Sequence, residues 1–211
     1  MQEIVLATRS KDKIREIKAI LKDLNLKIFS LSDFPSFPEI PEEGRTFEEN
    51  AIKKARISAD LTQKISLADD SGLEVDALGG KPGVYSSRFA GEKADDLKRN
   101  KKLLKLMEGV SPDKRTARYQ CVIVIAKPQG VSNKSLTNGI KAPKGVKIFK
   151  GSCEGLIGNE LRGSYGFGYD PLFIVPEYNC TMAELKPEIK NKISHRAKAL
   201  EKAKEFLANW V

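Results

Sequence analysis

The chain has 211 residues, 40% of them hydrophobic and 31% charged, with a formal net charge of +9. That apolar content suffices for a sizeable core, and the basic balance favours anionic partners: nucleic acid, a membrane surface or phosphorylated small molecules. No segment reaches the ~20 apolar residues of a membrane span, no basic leader precedes the first apolar run, and Cys121, Cys153 and Cys180 form neither a metal pattern nor a disulfide framework, so a soluble cytoplasmic protein with reduced thiols is expected.

Glu3 to Ala7 reads as a buried strand and Thr8-Arg9-Ser10 as the turn after it. Ile14, Ile17, Leu21 and Leu24 recur at helical spacing, so a helix is expected over Lys11–Leu24 with Ser10 as N-cap. A strand–turn–helix start leaves backbone N–H groups where an anion can dock, and Lys11 and Lys13 add charge there. The glycines of a P-loop are missing. Lys27 to Leu31 is a second strand, and Asp33 to Gly44, with three prolines and Glu39, Glu42 and Glu43, is a loop. Thr46 and Glu49 fit a capping box that opens a helix reaching about Leu61, with Asn50 and Lys54 one turn apart on one face.

The apolar run Ile65 to Ala68 predicts a strand that ends in two carboxylates, Asp69 and Asp70, with Ser71-Gly72 as a turn. Gly79, Gly80, Pro82 and Gly83 make the next stretch a loop. Ligands of open α/β sheets sit outside the carboxyl ends of strands, where such a pair can bind Mg²⁺ and orient water. By itself the same pattern also describes a strand-capping turn without chemistry.

Asp95 to Glu108 predicts a helix with Gly109 as C-cap, and Thr116–Ala126 and Val146–Ile157 predict two strands around a polar loop or hairpin tip from Lys127 to Lys144. In Arg162 to Asp170, glycines alternate with Tyr165, Phe167 and Tyr169, a pattern that allows close backbone approach and base stacking, or an aromatic turn on the core. Pro171 to Val175 is a strand, Thr181 to Glu184 a second capping-box pattern broken by Pro187, and Ser194 the N-cap of a last helix whose Ala199, Ala203, Phe206 and Trp210 face the core. His195 and Arg196 then fall in the first turn of that helix, where cationic side chains suggest an anionic or polar ligand. No linker or repeat is visible, so residues 1–211 are read as one domain.

Taken together, Ala7-Thr8 through Lys13 and Glu16, Thr46 to Ala51 with Lys54-Ala55, Ala68 to Leu73, Leu78 to Gly83, Phe167 to Pro171 and Ser194 to Arg196 run in the order seen in the inosine triphosphate pyrophosphatase family, which this chain resembles. The resemblance implies a mixed α/β fold, with a curved central β-sheet, flanking helices and two lobes around a nucleotide cleft. It implies a homodimer using Mg²⁺ to cleave inosine or xanthosine triphosphates to monophosphate and pyrophosphate. Carried over by residue, Asp70 resembles the general base and also lies at the metal, with Glu42 or Glu43 as a further metal ligand. Thr8, Ser10, Lys13 and Lys54 look like triphosphate contacts, with Asn50 on the face of Lys54. Ser71, Phe167, Gly168, Tyr169, Asp170, Lys190, His195 and Arg196 look like base and sugar contacts. Arg9-Ser10 stands where the family usually has Gly-Asn, and Gln129 to Lys147 matches nothing usable. A nucleic-acid-binding module would share the basic charge without needing the acidic pair. A pyrophosphatase of modified pyrimidine nucleotides is the enzymatic alternative.

Overall fold

The computed structural model describes residues 1–129 and 145–209; the expected hairpin tip from Lys127 to Lys144 falls largely outside these, as does Trp210. The elements are β1 (Gln2–Leu6), α1 (Lys11–Ile20), β2 (Leu26–Ser30), α2 (Phe47–Thr62), β3 (Ile65–Val75), α3 (Asp96–Leu106), β4 (Thr116–Ala126), β5 (Val146–Ile157), β6 (Phe173–Val175), β7 (Cys180–Thr181), α4 (Pro187–Ile193) and α5 (His195–Ala208). The strands lie in the order β2-β1-β3-β4-β5-β6-β7. β1 pairs in parallel with β2 and β3, while β6 pairs antiparallel with β5 and β7, so the sheet is mixed, as expected.

The residues group into two compact units. One holds Met1–Asp70 with the described parts of Val122–Lys150 and Ala199–Val211; the other holds Ser71–Cys121 and Gly151–Lys198.

In the first unit, parallel pairing of β1 with two neighbours requires crossovers, and α1 and α2 supply them. The Ala51, Ala55 and Ala59 side chains of α2 recur every fourth residue and are fully buried, which lets the helix lie close to its neighbours. Ser10 caps α1 as expected, its side chain accepting from the Lys13 N–H. The helix stops at Ile20, short of the expected Leu24, because Leu21 leaves helical geometry and Leu24 N–H turns back to the Leu21 carbonyl. Thr46 caps α2 by accepting from Glu49 N–H at 3.1 Å, but the Glu49 carboxylate accepts from Arg45 N–H at 2.6 Å, so the box closes one residue early.

The second unit builds its core from Leu73, Val75, Leu103, Met107, Tyr119, Phe173, Met182 and neighbours. Arg115 is buried there and donates to the carbonyls of Ile157, Met107, Val110 and Gly158, so four hydrogen bonds from one guanidinium close the end of α3. Thr181 lies in β7 and Glu184 reaches back to its N–H at 2.6 Å, but no helix follows directly. Pro187 starts α4 rather than breaking a helix, because the first helical position needs no N–H donor.

β3 departs most from expectation. It continues to Val75, so Asp69 and Asp70 lie inside the strand. Ser71-Gly72 stays extended because Leu73 and Val75 beyond it are fully buried, and their burial outweighs the local turn preference. The pairing with β1, however, ends at Leu6↔Leu67, so both carboxylates lie just past the last rung of that ladder.

Close packing yields a stability prediction. A Cβ on Gly155 of β5 would stand 2.5 Å from Phe173 Cζ, and that fully buried ring already packs on Tyr119 at 4.6 Å. Gly155→Ala should therefore lower unfolding stability by about 1–3 kcal/mol. Gly158→Ala, whose Cβ would meet its nearest atoms at 3.4 Å, should cost less. Urea denaturation of both variants checks the order.

Candidate active site

Two clusters of polar side chains contain the residues singled out in the sequence, one in each unit.

In the first unit, the Lys54 ammonium sits on the buried face of α2. It donates to Asp70 Oδ1 at 2.7 Å, to Glu42 Oε1 at 2.6 Å and to the Asp69 carbonyl at 2.8 Å. All three donor positions of the ammonium are therefore used. Lys13, from the first turn of α1, forms an ion pair with the fully buried Asp69 carboxylate. Asn50, one turn before Lys54, donates to Asp70 Oδ2 at 3.3 Å and accepts from the Gly44 N–H at 2.8 Å. A Cβ on Gly44 would stand 2.6 Å from that Asn50 oxygen, so the acidic loop passes this point as glycine. Glu43 instead turns outward to Lys53, with its side chain 77% exposed. Thr8 Oγ1 accepts from Ser10 N–H at 3.1 Å, and Ser10 Oγ from Lys13 N–H at 3.4 Å, so both hydroxyls shape the start of α1.

Charge and burial compete here. Burial pulls the Lys54 pKa down, but Asp70 and Glu42 outweigh it and hold the ammonium above the ordinary lysine value. Burial pushes Asp70 up, and Lys54 and Lys13 offset that only in part while Glu42 adds to it. Lys54 rises because it gains two carboxylate partners, whereas Asp70 rises because it is buried and the lysines beside it offset that only in part. Among the described residues no group of three or more His, Cys, Asp or Glu side chains could hold a metal. Glu42 and Asp70 on one cation are nevertheless a hard-oxygen pair, and one or two carboxylates with substrate phosphates are what a small divalent cation takes.

In the second unit, the loop after β5 wraps a buried ion pair. Lys190 of α4 pairs with Asp170 Oδ2, and the same oxygen accepts from the Phe167 N–H at 2.9 Å. A Cβ on Gly166, which has φ +75°, would stand 2.9 Å from Asp170 Cγ and 3.1 Å from Lys190 Nζ, so only glycine passes over this pair. Tyr119 donates to Asp170 Oδ1 at 3.2 Å, and its ring stacks on His195 at 4.5 Å and 11°. Burial first, and then the Asp170 charge, push the Tyr119 hydroxyl well above its usual range. Arg196 is buried and donates to Ser71 Oγ at 2.9 Å. The Phe167 ring lies under two cations, Lys190 Nζ at 4.7 Å and the Arg196 guanidinium at 5.5 Å.

Thus Thr8, Ser10, Lys13, Glu42, Asn50, Lys54 and Asp70 come together in one unit, and Ser71, Phe167, Asp170, Lys190, His195 and Arg196 in the other. Tyr169 differs from its neighbours: its ring is buried and its hydroxyl donates to the Ser86 carbonyl at 2.9 Å, which leaves Phe167 as the less buried aromatic of the pair. Sequence reasoning missed the Lys13–Asp69 pairing and Tyr119, which carries no local signal beyond its place on a strand face.

The chain matches the Ham1 family over residues 4–206. It is 54% identical to a dITP/XTP pyrophosphatase of Desulforamulus reducens, over 97% of this chain and 95% of that protein. It is 50% identical to a dITP/XTP pyrophosphatase of Geobacter sulfurreducens, over 98% and 97%. Among solved structures it resembles a HAM1 protein from Coxiella burnetii, with TM-score 0.85, 42% identity and 99% and 100% of the two chains covered. The Staphylococcus aureus Ham1 protein follows at TM-score 0.82 and 38% identity, with both chains fully covered.

Removing Lys54's charge isolates the electrostatics of the first cluster. In metal-free buffer, Lys54→Met should cost about 3–5 kcal/mol at neutral pH, because Asp70 and Glu42 lose their shared cation. Asp70, already raised, rises further, so the native state holds its proton more tightly than the unfolded chain does. That penalty exists above the folded pKa and fades as pH falls through it. The stability deficit measured by urea unfolding should therefore shrink from pH 7 towards about pH 5; a deficit constant over that range would contradict this reading of the cluster.

Proposed function

The chain belongs to the Ham1 family, and on that premise we propose that it hydrolyses non-standard purine nucleoside triphosphates (ITP, dITP and XTP) to the monophosphate and pyrophosphate, removing them from the nucleotide pool. The same reading makes it a cytoplasmic homodimer that works on nucleotides rather than nucleic acid or membrane, with residues 1–211 as one nucleotide-pyrophosphatase domain.

The observation that carries the chemistry is the Lys54 ammonium held by Asp70 and Glu42. Cleaving a phosphoanhydride needs charge neutralisation and an aligned water more than a covalent nucleophile. Lys54 and Lys13 can neutralise phosphate oxygens, and Thr8, Ser10 and the N–H groups at the start of α1 can hydrogen-bond them. Asp70 acts as the general base. Its raised pKa suits that role, since a stronger base takes a proton from water more readily. As water adds to phosphorus and its proton passes to Asp70, the bond to the departing pyrophosphate breaks. Asn50 orients the Asp70 carboxylate through its second oxygen. Mg²⁺, held by Glu42 and Asp70, would supply further charge neutralisation at the phosphates. The outward turn of Glu43 supports Glu42 over Glu43 as the ligand.

The second cluster is assigned to the base and sugar. Inosine and xanthosine carry a 6-keto acceptor where adenosine carries a 6-amino donor. Lys190, His195 and Arg196 are donors, and the Phe167 ring offers a stacking face. A donor facing an amino group is left unpaired at a cost of about 1–3 kcal/mol each.

Pyrophosphate release from a panel of purine and pyrimidine triphosphates, with Mg²⁺ and with excess chelator, tests the proposal. Inosine and xanthosine triphosphates should lead and chelator should abolish turnover; a preference for ATP or for pyrimidines would overturn it. Asp70→Asn should lower kcat by at least about 10²-fold while nucleotide affinity largely survives. Activity within about threefold of wild type would remove Asp70 from the general-base role.

A further inference from the structure

The loop that carries Phe167 and Asp170 is gripped from outside by two residues of α3. Asp96 Oδ2 accepts from the Gly168 N–H at 2.6 Å. Asn100, one turn later on the same helix face, donates to the Gly168 carbonyl at 2.7 Å and to the Asp96 carbonyl at 2.8 Å. Both polar groups of the Gly168 residue are thus held by α3. Asp96 is itself oriented by an ion pair with Arg99, which also donates to the Ser87 carbonyl at 2.9 Å.

Gly168 has φ +66°, and a Cβ built there would meet nothing within 4 Å. No side chain of its own anchors this residue, so α3 holds it through its peptide groups. Asn100 is also a poor choice for stability alone. It is 2% exposed, and its Oδ1 has no hydrogen-bond partner among the described residues. A buried unpaired acceptor is destabilising, and such an orphan in a native protein calls for a reason other than stability.

We infer that Asp96 and Asn100 are positioning residues that set base discrimination by fixing the Gly168 peptide between Phe167 and Asp170. The inference rests on the assignment of that loop to the base. Both residues hydrogen-bond the loop of their own unit, so their effect is expected at the base end. If the peptide is released, Phe167 no longer keeps its place under Lys190 and Arg196, and the favoured bases lose affinity while a base that never matched loses little.

Asn100→Leu removes both donors and the orphan oxygen in one step, so it separates positioning from stability. Asp96→Ala removes the acceptor, and Asp96→Asn restores one. The full-length variants would be compared with wild type for kcat and KM on ITP and ATP, for affinity towards inorganic tripolyphosphate, and for thermal midpoint. Asn100→Leu and Asp96→Ala should raise KM for ITP about tenfold or more, the effect of a lost hydrogen bond. For ATP, KM should move less than about threefold, as should tripolyphosphate affinity. Asp96→Asn should recover most of the loss, and the midpoint of Asn100→Leu should stay near or above wild type. A loss common to ITP and ATP that tracks a lowered midpoint would make the pair merely structural and overturn the inference alone. Unchanged KM values in both variants would do the same. A wild type that treats ITP and ATP alike would overturn the base assignment itself, and the inference with it.

Discussion

A single buried ammonium constrains the layout of the first unit. Lys54 is 7% exposed, and an ammonium out of water must find full compensation from its surroundings. It takes that compensation from a loop carboxylate, a strand carboxylate and a strand carbonyl, all within 2.8 Å. This explains why a proline-rich, irregular segment lies over α2: Glu42 has to reach Lys54. It also explains why Asn50 is buried on the same helix face, bonding the loop through Gly44 and the strand through Asp70. The arrangement is poor as a purely stabilising device, because Asp70 is buried and stays raised even with Lys54 and Lys13 beside it. A buried carboxylate whose charge is only partly offset is suited to receive more positive charge, whether from a divalent cation or from the lysines around a bound phosphate.

Much of this was legible in the sequence, for identifiable reasons. β4 matches its expected bounds because its run of Val and Ile residues leaves little ambiguity, and β5 matches where Gly158 ends the apolar pair Leu156-Ile157. The N-caps at Ser10 and Thr46 were readable because a hydroxyl before a helix acts locally, whereas Asp95, expected as the first helical residue, proves to be the cap of α3. Errors came where tertiary forces overrode local chemistry. Ser71-Gly72 looked like a turn, but burial of Leu73 and Val75 keeps β3 straight. Pro187 looked like a breaker, but at the first helical position it begins one. In the site, the lysines and carboxylates were legible as types in an order. Their pairing was not, because Lys13 with Asp69 and Lys54 with Asp70 bring together residues far apart in the chain, and only the folded backbone decides which carboxylate meets which ammonium.

The base-side loop narrows how recognition can work. Glycine-rich loops are often read as sources of backbone N–H donors. Here the Phe167 N–H is given to Asp170, the Gly168 N–H to Asp96, and the Asp170 N–H to the Phe167 carbonyl at 3.3 Å. The glycines serve the loop's own shape, as the positive φ of Gly166 and Gly168 indicates. On the proposed assignment of this loop to the base, discrimination between keto and amino groups would fall to side chains, with the cations over Phe167 in place for it. Recognition would then depend on the rigidity of the loop more than on its chemistry, since a cation held a little out of place over an aromatic ring loses direction as well as strength.

The turn after β1 shows how a departure from the usual family pattern is absorbed. Arg9-Ser10 stands where the family usually has Gly-Asn, and a tight turn without glycine has to be held by other means. The described non-glycine residues with positive φ are Gln63 and Asn179, so Arg9, in the glycine position, needs no left-handed conformation. Thr8 Oγ1 and Ser10 Oγ take up the first free N–H groups. Arg9 does more than point to solvent. Its guanidinium donates to the Phe37 carbonyl at 2.6 Å, and Phe37 packs with Val5 and Leu31 in the small core under the acidic loop. The side chain introduced at this position thus ties the turn that begins α1 to the segment leading into Glu42. Two parts of the proposed phosphate site are joined by one hydrogen bond, which also satisfies a carbonyl of the irregular loop.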